Sequence, residues 1–85
     1  MKHVLCAVSD RASGAYVRPF AAPTIAFAVR GFMDACKSEK QMMDHPGDYE
    51  LHYLADWDDV TGDFSVDKSQ ERIIARATSF VIKGE

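Results

Sequence analysis

Tyr49-Glu50-Leu51-His52-Tyr53-Leu54-Ala55-Asp56-Trp57 decides the fold class, because Tyr49, Leu51, Tyr53, Ala55 and Trp57 alternate with Glu50, His52, Leu54 and Asp56. A side-chain period of two is the mark of a half-buried β-strand. The spacing predicts a wide aromatic face suited to lie under a helix, with Glu50, His52 and Asp56 turned the other way. Downstream, Asp58-Asp59-Val60-Thr61-Gly62 carries hairpin chemistry, with Gly62 placed to take a positive φ, and Phe64 and Val66 resume the alternation. From Arg72 to Ile82 helix and strand compete. Thr78, Phe80, Val81 and Ile82 favour strand, which is the expectation adopted.

Upstream, Met42 to Asp48 reads as punctuation. Before it, Ile25, Val29, Phe32, Met33 and Cys36 recur at helical spacing, predicting one amphipathic helix from about Thr24 to Lys40 with Thr24 as N-cap. Gly31 within it suggests a close approach to a strand. Lys2 to Ser9 is a short apolar run, buried on both faces and central in its sheet. Asp10 to Gly14 is a turn, Ala15 to Arg18 returns as a second strand, and Pro19 to Pro23 is a stiff connector. The expected fold is α+β: a small antiparallel sheet of order β-β-α-β-β-β, with one helix on one face and a single globular domain over residues 1–85.

At 85 residues, 47% hydrophobic and 27% charged, the composition excludes disorder, collagen and coiled coil. A chain of this size buries only about 60–65% of its unfolded surface, so a homodimer is one way to enlarge its core. No apolar run reaches membrane-spanning length and no signal peptide is expected, which points to a cytoplasm and away from a membrane. Cys6 and Cys36 sit in apolar contexts and read as reduced core thiols. The net charge of −3 is divided unevenly. Residues 1–40 carry six Lys or Arg against three acids, residues 41–85 four against ten, giving +3 and −6. Between Asp44 and Asp67 there are eight acids and no Lys or Arg. That stretch repels a phosphate backbone, whereas the first half has the cations to meet one.

Side chains that could carry chemistry are few. His45, Asp48, Glu50 and His52 are close in sequence but match no metal-ligand spacing, so no metal is expected. His52 reads as an exposed imidazole among acids. No nucleophile elbow, Walker loop or dinucleotide fingerprint occurs, and neither an enzyme nor a cofactor is expected. Tyr16, Arg18 and Phe20 interleave aromatic and basic side chains, a pattern on which unpaired bases stack while phosphates are neutralised. The bland alternative puts Phe20 under the helix and Tyr16 on a sheet edge. Tyr49, Tyr53 and Trp57, sharing a face with Leu51, read as core.

Three segments together resemble one family. They are Val8-Ser9-Asp10-Arg11 leading to Arg18-Pro19-Phe20; Pro23-Thr24 followed by Ala28-Val29-Arg30-Gly31-Phe32; and His45-Pro46-Gly47-Asp48-Tyr49-Glu50-Leu51 leading to Asp58-Asp59-Val60-Thr61-Gly62-Asp63-Phe64. Their order is similar to the small nonstructural protein of gokushovirus-type microviruses, bacteriophages with small circular single-stranded DNA genomes. The likeness spans about residues 4–66, and Ala55-Asp56-Trp57 departs from it where a glycine and a phenylalanine are usual. The resemblance implies a nonstructural protein made in the host bacterial cytoplasm, acting in genome replication or packaging, with no catalytic residue.

Two functions are expected from these readings. In the first, the protein binds single-stranded DNA through Arg11, Arg18, Arg30, Lys37 and Lys40, with Tyr16 and Phe20 stacking on bases. In the second, Asp56, Asp58, Asp59 and Asp63 on the acidic hairpin dock a basic surface of a phage or host replication protein, or of the capsid precursor.

Overall fold

The computed structural model describes residues 1–81 and is α+β. Two long strands form its spine: β1 (Lys2–Asp10) and β4 (Tyr49–Asp58) pair antiparallel along almost their whole length. Each is flanked by two short strands on its outer edge. β2 (Ala15–Tyr16) and β3 (Phe20–Ala22) pair with β1, while β5 (Phe64–Ser65) and β6 (Ile73–Arg76) pair with β4. Between β3 and β4 run α1 (Ile25–Ser38), α2 (Lys40–Asp44) and a 3₁₀ turn, Pro46–Asp48.

The helix forms for the local reasons the sequence supplies. Thr24 Oγ1 accepts from the Phe27 backbone N–H at 3.1 Å, satisfying one of the unpaired donors of the first turn. Ala28, Phe32 and Cys36 then fall on one stripe and are buried against Cys6, Ala22 and Leu51 of the sheet. Glu39, extended at φ −87°, ψ 119°, ends α1 two residues before the expected boundary. The stretch expected to be punctuation instead begins within a second, short helix, α2, which buries Met42 in the same core. Gly31 approaches no strand: it is exposed, and a Cβ there would meet nothing within 4 Å.

Three more expectations are corrected. The Pro19–Pro23 connector contains β3, whose Val4↔Ala22 register buries Ala22. The expected strand from Arg72 to Ile82 stops at Arg76 and turns into a 3₁₀ segment, Ala77–Ser79, tucking Ala77 and Phe80 against the helix; Ile82 lies outside the described residues. Packing overrides the β preference of Thr78 and Phe80, because a continued strand would carry them past the helix. The largest correction concerns β4. Leu5 pairs with Ala55 and Cys6 with Tyr53, leaving Leu54 as an extra residue in a β-bulge.

Beyond that bulge the alternation is inverted. Tyr49 and Leu51 pack on the helix side, but Trp57 pairs with His3, which alternates away from Val4 and Cys6. Ala55 and Trp57 therefore belong to the opposite face and not beneath the helix.

Cys6 and Cys36 are free thiols with no exposed surface, and burial pushes the Cys6 thiol up to about 11. The native protein is thus expected to resist alkylation at pH 8 and to take up two equivalents of reagent once unfolded in guanidinium. Mass spectrometry of the two samples checks this, and rapid native labelling of either cysteine would contradict the buried assignment.

Candidate nucleic-acid interface

Among the described residues, the helices cover one face of the sheet and leave the other to solvent and to its own side chains. Register assigns His3, Leu5, Ala7 and Ser9 of β1 to that open face, together with Glu50, His52, Ala55 and Trp57 of β4. Tyr16 pairs with Ser9 and lies there too.

Four polar side chains form a chain across the face, with Arg76 at its end. Arg72 Nη2 donates to the Tyr16 hydroxyl at 3.3 Å, and that hydroxyl shares a 2.9 Å hydrogen bond with His52 Nδ1. His52 Nε2 lies 3.1 Å from Glu50 Oε1, and Arg76 Nε donates to Glu50 Oε2 at 3.3 Å. With Glu50 ionised, Nε2 carries a proton; in the neutral ring Nδ1 then accepts from the Tyr16 hydroxyl. Because His52 sits opposite Ala7 on β4 and Tyr16 on β2, the tyrosine side chain has to cross β1 to reach it. Ala7 lies in that path and is fully buried although no helix covers it. A larger residue there would lift the ring off the sheet.

His52 is accordingly not the exposed imidazole expected among acids; its side chain is 12% exposed and held from both ring nitrogens. Towards the other end of the same face, His3, Trp57 and Phe64 form a row of rings with centroid separations of 5.7 and 6.5 Å.

The residues singled out from the sequence are dispersed. Tyr16 is 46% exposed on the open face, whereas the Cys6↔Phe20 register places Phe20 on the helix-bearing face. Arg11 is in the turn after β1, its N–H bonded to the Asp48 carbonyl, and Arg18 is in the loop between β2 and β3. Arg30 and Lys37 are exposed on α1. Lys40 opens α2 rather than closing α1, and its Nζ is 2.6 Å from Asp44 Oδ2. These seven side chains do not share one surface.

The acidic hairpin is partly compensated from within. Asp59 Oδ1 lies 2.8 Å from the Met1 amino group and Oδ2 lies 2.8 Å from His3 Nε2, which together hold its carboxyl below the usual range. Asp58 Oδ1 accepts from the Val60 N–H, closing an Asx turn ahead of Gly62, whose φ of +78° is the expected left-handed one. Asp56 faces the Val4 side of β4, and Asp63 is exposed in the loop before β5.

Residues 3–80 match the family model described as Phage ORF5 protein. The chain belongs to the phage ORF5 protein family. It matches no curated protein and no solved structure. For this phage ORF5 protein, sequence reasoning passed over Arg72, Arg76 and Phe64 as ligand contacts and read Trp57 as core. Arg72 and Arg76 could have been flagged by their alternation with Ile73 and Ala75, but only tertiary pairing shows which face they join.

The open-face network makes a pH prediction for the ORF5 protein. The His52 hydrogen bond, then Arg76, hold the Glu50 carboxyl below its ordinary value of 4.5. A carboxyl lowered by folding contributes stability that is complete above its unfolded value and is lost as pH falls through the folded one. Glu50→Gln is therefore expected to flatten the acid limb of a denaturation profile below about pH 5. Urea midpoints at pH 3–7 check it; an unchanged acid limb would remove Glu50 as a contributor.

Proposed function

We propose that this phage ORF5 protein is a nonenzymatic DNA-binding protein of a microvirus of the gokushovirus type. In this reading it works in the host bacterial cytoplasm during replication or packaging of a single-stranded genome. One observation carries the proposal: the sheet face that the described helices leave uncovered presents Tyr16 in contact with Arg72, with Arg76 at the far end of the same hydrogen-bonded chain, so an aromatic ring and two guanidinium groups lie on one face. Aromatic surfaces take the exposed faces of unpaired bases, and guanidinium groups take phosphates. A duplex hides its base faces in the stack and has less to gain there.

Fluorescence anisotropy of a labelled single-stranded oligonucleotide, titrated at several salt concentrations with duplex competitor, tests the reading. Saturable binding that weakens with salt and resists duplex is the expected result. No binding at low salt would overturn it.

A second reading is supported by the hairpin, which carries Asp56, Asp58, Asp59 and Asp63 together with Val60 and Phe64, 81% and 63% exposed. Acids around exposed apolar side chains suit a basic protein surface on a replication protein or capsid precursor. Loss of a protein partner from infected-cell pull-downs when Asp56, Asp58 and Asp59 become asparagine would favour this adaptor role.

A further inference from the structure

We infer that the row His3–Trp57–Phe64 is a second base-stacking station, extending the proposed Tyr16 site along the sheet so that one unpaired strand spans both. The inference rests on the DNA-binding reading and adds a site and a ligand orientation to it. His3 pairs with Trp57 and Ala7 with His52, so the two aromatic groups are four residues apart along β1. At 3.3–3.4 Å per residue they stand about 13 Å apart, on the same face.

The rings suit this use. His3 and Trp57 are tilted by 38°, and Trp57 and Phe64 by 30°, closer to parallel than to edge-on, so the three ring planes are roughly aligned along the row. Phe64 belongs to a two-residue strand and is 63% exposed, leaving most of an apolar ring unburied in a chain with little core. The carboxylate beside the row is matched by a cation: Asp59 meets the Met1 amino group and His3, each at 2.8 Å. A base can therefore approach without facing an uncompensated acid. Arg72, which meets β4 at Tyr53, is level with the span between the stations and available to phosphates of a strand running along it, while Arg76, paired with Glu50, is at the Tyr16 end.

Trp57 is the single tryptophan, so emission excited beyond the absorption of the three tyrosines reports on this row alone. The full chain is titrated with oligothymidylates of increasing length while anisotropy and Trp57 emission are recorded together. Tryptophan quenching that saturates with anisotropy for long strands, but is weak for strands of two or three nucleotides, is expected. Phe64→Ala should weaken binding about ten-fold, and Phe64→Tyr should restore it. The side chain is mostly exposed, so the alanine variant keeps its core, and its circular dichroism should match wild type. Anisotropy showing tight binding, with Trp57 emission unmoved and Phe64→Ala binding as wild type, would overturn the second station and leave the DNA-binding reading standing. No anisotropy change for the wild type would remove both.

Discussion

Phe32→Ala is expected to lower stability by about 3–5 kcal/mol, a quarter or more of the roughly 4–13 kcal/mol that an 85-residue domain has at about 0.05–0.15 kcal/mol per residue. Phe32 is 2% exposed and central to the helix stripe; its ring meets Phe80 edge-on at 6.2 Å between centroids. Truncation removes the transfer free energy of the ring and leaves a void that the sheet cannot close, because β1 is pinned on both edges by backbone pairing. It also leaves Phe80 unsupported, and with it the 3₁₀ segment that seals the end of the core. Thermal denaturation should show a midpoint at least about 12 °C lower, or no cooperative transition at all. Phe27 on the same helix is 56% exposed, and Phe27→Ala should move the midpoint by no more than about 2–4 °C in either direction. Equal losses from the two variants would contradict the packing assigned to α1.

The second large effect is expected on DNA affinity. Arg72→Ala with Arg76→Ala removes two cations from the open face, one of them holding the Tyr16 hydroxyl and the other Glu50. Each phosphate neutralised on a single strand contributes about −0.7 to the slope of log K against log salt, so the double variant should lose about 1.4 from that slope. Affinity at low salt should fall on the order of ten- to a hundred-fold. The matching double variant on the other surfaces, Arg18→Ala with Arg30→Ala, separates the alternatives. Arg18 is in a loop and Arg30 on the exposed side of α1, so loss of binding through these would move the interface to the helix-bearing side. Losses confined to the Arg72 and Arg76 pair would leave it on the open sheet. Both pairs are on the surface, so neither result is confounded by unfolding.

Element types were legible because they come from periodicity and end chemistry over a few residues. The alternation from Tyr49 to Trp57 is one strand, the Ile25–Cys36 spacing is one helix capped by Thr24, and Gly62 takes the turn conformation that only glycine adopts cheaply. Fold class is then constrained, since one amphipathic helix and several short strands can bury their apolar sides together in few ways.

Which face each side chain joins was not legible past Leu54. A bulge is an agreement between two strands about register, and nothing within the Tyr49–Trp57 stretch marks where β1 falls one residue behind. That single extra residue moved Trp57 from the core to the row with His3 and Phe64. The continuation of β6 was misread because Ala77 and Phe80 respond to the helix opposite them, a constraint absent from local preference. The candidate site depends on the same long-range facts. Tyr16, His52, Glu50 and Arg72 span 56 positions between Tyr16 and Arg72, and only the pairing of β2, β1 and β4, with residue 72 meeting β4 just before β6, brings them together. Sequence by itself determined an α+β chain with one amphipathic helix and a divided charge. Tertiary structure decided which sheet face that helix covers and which it leaves open, because a single helix buries only one side.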